Sequence, residues 1–146
     1  MLRFHAQALA LLLLVISSLG SSSAPSGSPV TVSVDAASYS SGDPVTATVT
    51  NGGSDAISPS GGIVCQNSPW PFSLQVLDDS GAWLDVPVAR TPPCVAIAAA
   101  LLQPGESASK SFTPGLDSGQ YRVVYAYHTT DGTNGAATSD PFVIGS

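Results

Sequence analysis

The chain has 146 residues, a formal net charge of −6, and only four Lys and Arg against ten Asp and Glu. A nucleic-acid or anionic membrane surface demands clustered cations, and the sequence has no such cluster. One domain with a modest core fits this length, and the wealth of Gly, Pro, Ser, Thr and Val favours many short strands over helices.

Met1-Leu2-Arg3-Phe4-His5 is a short basic start, Ala8 to Ile16 is a continuous apolar run, and Ser17 to Ala24 supplies small residues. That order predicts a secretory signal peptide over residues 1–24, with cleavage after Gly20 or near Ala24. The run is shorter than the roughly 20 residues that span a bilayer, and an uncleaved N-terminal anchor is the alternative. No cysteine follows the run, which excludes a bacterial lipoprotein anchor. The expected location is therefore secreted, periplasmic or at the cell surface.

Residues 25–29 read as a flexible lead-in and residues 30–146 as the folded domain. Val30 to Val34 alternates strictly and predicts the first strand; Tyr39 to Pro44 reads as a turn and Val45 to Thr50 as the second strand. Their interior face is Val30, Val32, Val34, Val45, Ala47 and Val49. Asn51-Gly52-Gly53 ends the second strand. Ser54 to Pro71, with three prolines and a glycine pair, reads as a long loop. Phe72 to Leu77 and Ala82 to Val86 read as strands around the Asp78-Asp79-Ser80-Gly81 hairpin turn. Arg90 to Pro93 is a proline-marked connection, and Val95 to Leu102 reads as a strand or packed segment rather than helical turns. Ser107 to Thr113 is a further strand. The longest follows, Gln120 to His128, with Tyr121, Val123, Tyr125 and Tyr127 on one face at period two. Asp131 to Gly135 turns the chain into a last strand, Ala136 to Ile144, where Pro141 marks an edge or a bulge. Seven or eight short strands at this spacing predict an all-β sandwich.

Cys65 and Cys94 are the only cysteines. In an exported chain an even count points to a disulfide, and closing a loop of about 30 residues would stabilise the fold by roughly 3 kcal/mol. Free thiols or a metal pair are the alternatives, but His128 is the one histidine beyond the N-terminal segment. Trp70 sits between Pro69 and Pro71, where it either stacks on a sugar or partner protein or caps the sandwich end. Trp83 packs on a sheet face.

Tyr39-x-x-Gly42-Asp43-Pro44-Val45 leading to Asn51, then Gly81-x-Trp83, then Leu102-x-Pro104-Gly105-Glu106, then Gly119-x-Tyr121-Arg122 resemble bacterial immunoglobulin-like domains of exported proteins. The resemblance spans nearly the whole chain after residue 29. It implies an immunoglobulin-like Greek-key sandwich used for spacing or binding, without catalysis. Asp117-x-Gly119-x-Tyr121 resembles the tyrosine corner before strand F of such domains, where the hydroxyl bonds back to the corner backbone. The intracellular proteinase-inhibitor family of bacilli looks like a related sandwich, so inhibition stays open. The antibody-type inter-sheet cysteines are missing: Val49 or Ala47 and Val123 stand in their places.

Little in the chain supports catalysis. His128 has no G-x-S-x-G partner and reads as a rim residue. Ser107-x-x-Lys110 lacks the companion motifs of penicillin-binding enzymes. Asp78 and Asp79 are adjacent in a turn and point apart. Asp131 to Gly135 alternates oxygen ligands but lacks the later bidentate Glu of a calcium loop. No cofactor or metal is expected. The expected function is a secreted non-catalytic module for binding or structural roles at the cell surface or outside the cell, with another protein or a cell-surface polymer as partner. The alternative is a secreted protease inhibitor acting through residues 54–71.

Overall fold

The computed structural model describes residues 29–60, 63–66, 68–87, 91–96 and 100–146, of which 63–66 and 91–92 in backbone only. The expected signal peptide, residues 1–24, and residues 25–28 of the lead-in lie outside the described residues, as do 97–99 of the alanine-rich run. Among the described residues the fold is all-β, with no helix. Its strands are β1 (Val30–Val34), β2 (Ser38–Ser40), β3 (Val45–Asn51), β4 (Ile57–Pro59), β5 (Ile63–Gln66), β6 (Ser73–Leu77), β7 (Trp83–Asp85), β8 (Thr91–Ala96), β9 (Ser107–Phe112), β10 (Gly119–Thr129), β11 (Asn134–Thr138) and β12 (Phe142–Gly145).

Two sheets enclose one core. The smaller has the order β1-β3-β9; the larger has the order β2-β12-β10-β6-β7, with β11 and β4 also paired to β10. Every pairing is antiparallel except β2 with β12. The inner face of β10 presents Tyr121, Val123, Tyr125 and Tyr127, all buried, alongside Leu74, Phe142 and Ile144. The opposing sheet contributes Val30, Val32, Val45, Ala47, Val49 and Phe112, while Val34 is only partly buried. Period-two alternation places these residues: one-faced burial fixes register, because a one-residue slip would turn every valine to water. Outward, Thr46, Thr48 and Thr50 of β3 pair through their hydroxyls with Ser111, Ser109 and Ser107 of β9, each at 2.8 Å. These cross-strand pairs fix the same register from the solvent side.

Among the described residues twelve strands replace the expected seven or eight, because β2, β4 and β5 arise in segments expected as turn or loop and the last run splits into β11 and β12. Tyr39, expected in a turn, is buried in β2 and stacks edge-on against Phe142 with centroids 5.4 Å apart. The last run breaks at 139–141. Val124 pairs with Thr138 and Tyr121 with Phe142, so two residues of β10 face three of the partner. This is a bulge at Pro141, which has no N–H to give the ladder. Ser139 repairs it: its N–H donates to Val123 O at 2.9 Å, and its Oγ accepts from Val123 N at 3.0 Å. On the other edge of β10, β6 pairs with residues 121–124 and β4 with 127–129. The two are pieces of one strand line, with residues 60–72 looped out between them. Ser54 to Pro71 is thus no plain loop, since it contains β4 and β5. Likewise β8 takes up Thr91 to Pro93 of the expected connection.

Gly135 faces Tyr127 across β10 and β11. A Cβ on Gly135 would overlap the Tyr127 ring and lie 2.6 Å from its Oη. The aromatic ring covers the bare glycine backbone, a pairing that only the missing side chain permits. Gly135→Ala should cost about 2 kcal/mol by displacing a buried tyrosine, measured as a lower urea midpoint at unchanged m.

Five of the ten acids clamp turns through backbone N–H groups: Asp35 takes Thr46, Asp43 takes Ser40, Asp78 takes Ser80 and Ala82, Glu106 takes Gln103, and Asp131 takes Thr133. Hydrogen bonds to the ionised form hold Asp35, Asp78 and Asp131 below their ordinary 3.8, through Tyr39, Ser80 and Thr129 first and the backbone donors next. A depressed carboxylate stabilises the fold above its unfolded pKa, so these contributions are complete above about pH 4 and vanish as pH falls through the folded values. Tyr39 behaves oppositely. Burial, then its bond to Asp35, pushes its hydroxyl up to about 12. That contribution holds below about pH 10 and is lost as pH rises toward 12. Urea midpoints against pH should fall on both flanks, and Asp35→Asn should flatten both.

Candidate binding surface

The β5–β8 ribbon forms a sheet of its own, pairing with neither of the two large sheets. Ile63 faces Ala96, Val64 faces Val95 and Cys65 faces Cys94, after which the register shifts to bring Gln66 opposite Thr91. The shift falls at Pro92 and Pro93, which have no N–H to donate. Pro93, Cys94, Val95 and Ala96 are all exposed, Val95 at 56%. Nearby Leu101 is 54% exposed. Among the described residues Leu84 and Val143, away from the ribbon, are the other large apolar side chains exposed to this degree.

The base of the ribbon is anchored firmly. Ile57 and Leu102, flanking the excursion, exchange two backbone hydrogen bonds of 3.0 and 2.7 Å, and both side chains are buried. Asn51 lies beneath them, fully buried. Its Nδ2 donates to Leu102 O at 3.0 Å and Asp55 O at 2.8 Å, and its Oδ1 accepts from Gly53 N at 3.0 Å. Ser58 Oγ and His128 Nε2 lie 2.6 Å apart across β4 and β10. Sequence reasoning left Asn51 as a strand end and Ser58 unremarked. The Asn-Gly-Gly stop is the one local sign that a polar side chain works there.

Trp70 is half-buried in a turn closed by Phe72 N donating to Pro69 O at 2.9 Å, with Trp70 N donating to Ser68 Oγ at 3.2 Å. Phe72 enters the core against Tyr125, centroids 5.5 Å apart. The turn therefore ties the returning chain to the sandwich. At the far end of β10, Tyr121 Oη donates to Asp117 O at 2.9 Å. A Cβ on Gly119 would lie 3.2 Å from that ring, so the glycine makes room for it. Burial, then the Asp117 charge, raises the Tyr121 hydroxyl above its ordinary value.

No catalytic set comes together among these residues. Ser58 and His128 form a hydroxyl–imidazole pair with no described carboxylate behind the ring, and Ser58 is buried away from substrate. Ser107 pairs with Thr50 on the outer face of its sheet, while Lys110 alternates to the other side. Asp78 Oδ1 is occupied by Ser80 and Ala82; Asp131 takes the Thr129 hydroxyl and Thr133 N. Among the described residues no group of His, Cys, Asp and Glu could hold a metal ion.

No protein-family model matches the sequence, and neither does any curated protein. Among solved structures the chain is similar to a structural-genomics target at 15% identity and a TM-score of 0.41, covering 80% of this chain and 83% of that one. It is similar to the putative ApaA protein from Bordetella pertussis at 16% identity and 0.39, covering 78% and 87%. It is also similar to the sporulation control protein Spo0M from Bacillus subtilis at 17% identity and 0.43, covering 80% of this chain and 49% of that one. These are weak likenesses, to a β-rich fold.

Proposed function

We propose that this protein is an exported, non-catalytic immunoglobulin-like module that binds a partner through the β5–β8 ribbon. The observation carrying this reading is that, among the described residues, β5 and β8 pair with each other and with neither large sheet, and that Val95 on β8 is exposed. Ordering a ribbon whose described side chains, 93–96, all face solvent has an entropic cost that burial of those side chains does not offset. Cys65 and Cys94, opposed in the ladder, would brace it as a cross-strand disulfide; no described cysteine is free. Antiparallel neighbours bring Cα atoms within the span a disulfide bridges. Mass spectrometry should find no alkylatable thiol before reduction.

The immunoglobulin-like reading is supported by the strand order β1-β3-β9 facing β2-β12-β10-β6-β7 and by the Tyr121 bond to the chain before β10. If that bond pins the entry to β10 as a tyrosine corner does, Tyr121→Phe should lower stability by about 1 to 2 kcal/mol in urea titrations. To test function, washed envelopes of the source cells should retain the purified wild type and release Val95→Asp. Equal retention of both would discard the ribbon as the contact.

A second reading, protease inhibition, is favoured by the exposed, extended run Pro93 to Ala96, since proteases grip substrates as strands. A protease panel unaffected by micromolar protein would remove it.

A further inference from the structure

Arg122 stands on the outer face of the larger sheet, on β10, between the inward-pointing Tyr121 and Val123. Its guanidinium carbon lies 4.4 Å from the centroid of the Trp83 ring on β7. Its Nε donates to Gln75 Oε1 on β6 at 2.8 Å, and Gln75 Nε2 in turn donates to Asp85 Oδ1 at 2.9 Å. Three adjacent strands thus hold one cation. Gln75 stands between it and the Asp85 carboxylate. The chain carries ten acids for four Lys and Arg, yet among the described residues no carboxylate meets Arg122 and its two Nη groups have no acceptor.

We propose that Arg122, stacked on Trp83 and oriented by Gln75, is a docking site for the free C-terminal carboxylate of a partner peptide. A guanidinium fixed through Nε and one face leaves its outer edge, a planar pair of N–H donors, whose matching ligand is a carboxylate taken by two parallel bonds. Because stacking and the Gln75 bond already order the side chain, little rotamer freedom is lost on binding. The net charge of −6 repels polyanions, so an isolated carboxylate fits better than an acidic polymer. Period-two spacing puts Leu77 on the same outer face, next to Gln75 along β6 and opposite Trp83 on β7, where it would take an apolar C-terminal side chain. This site is separate from the β5–β8 ribbon and does not depend on the reading given to it.

The test is a titration of the full folded chain with acetyl-Ala-Ala-Leu as free acid and as C-terminal amide, followed by NMR at the Arg122 Nε–H and the Trp83 indole N–H. The free acid should give saturable shifts at both, with a Kd on the order of 1 mM, and the amide none. Arg122→Lys, checked for an unchanged backbone spectrum, should weaken binding by about tenfold, because an ammonium cannot offer the planar fork. Equal shifts with the amide, or no shift at Arg122, would overturn the proposal. A short oligogalacturonate that shifts these signals when the peptide does not would overturn the choice of ligand. The wild-type comparison of acid and amide decides the matter even if the variant does not fold.

Discussion

Phe142→Ala should destabilise the protein by about 4 kcal/mol, enough to remove a large share of the stability of a domain this size. Phe142 is completely buried and lies where β2, β10 and β12 meet. Its ring meets Tyr39 of β2 edge-on at 5.4 Å and stacks on Tyr121 of β10 at 6.1 Å, just after the bulge that starts β12. Truncation forfeits the transfer energy of the ring and leaves a cavity between neighbours that cannot collapse. Tyr39 is held by its hydroxyl to Asp35 Oδ1 at 2.7 Å, and Tyr121 by its own to Asp117 O. The thermal midpoint should fall by roughly 15 °C. Phe142→Leu, which refills most of the space, should cost only about 1.5 kcal/mol.

Asn51→Leu should cost about 3 kcal/mol, although the side chains have the same branching and the same number of heavy atoms. Leucine would strand the carbonyl of Asp55 and the N–H of Gly53, and would leave the Leu102 carbonyl with its Ile57 bond alone. A buried polar group without a partner loses far more than a hydrogen bond gains. Asn51→Asp adds a sign test. Its carboxylate would face two carbonyl oxygens, so the deficit should be larger at pH 7 than at pH 4, where the acid can be protonated and donate. Urea titrations of both variants at the two pH values measure this. If Asn51 holds the base of the ribbon, the Ile57 and Leu102 amides should also exchange faster with solvent in Asn51→Leu.

The contrast between these two residues shows what the sequence made readable. The faces of β1, β3 and β10 followed from alternation alone, because one-sided burial writes itself into residue type every second position. Phe142 obeys the same rule, since in β12 it and Ile144 are buried and Val143 between them is exposed. Asn51 could not be read this way, because its value comes from acceptors at positions 55 and 102 that no local pattern brings near. The same holds for β4 and β6, which are collinear only because both pair with β10. Their separation by residues 60–72 reads in the sequence as one long loop. Pro141 announced the bulge, yet not that Ser139 would repair it from the side. At the surface, the two cysteines drew notice to the ribbon by chemistry rather than by pattern. The Arg122–Gln75–Asp85 line was invisible because its three members come from three strands, and only register sets them side by side.

The proposed function is a division of labour in which the two sheets carry the stability and the β5–β8 ribbon would carry recognition. The most direct test pairs thermal midpoint with retention on washed cell envelopes for Val95→Asp. A midpoint within about 2 °C of wild type together with lost retention is the predicted result, since surface substitutions typically move stability by no more than about 0.5 kcal/mol. A clear drop in midpoint, or retention equal to wild type, would contradict it.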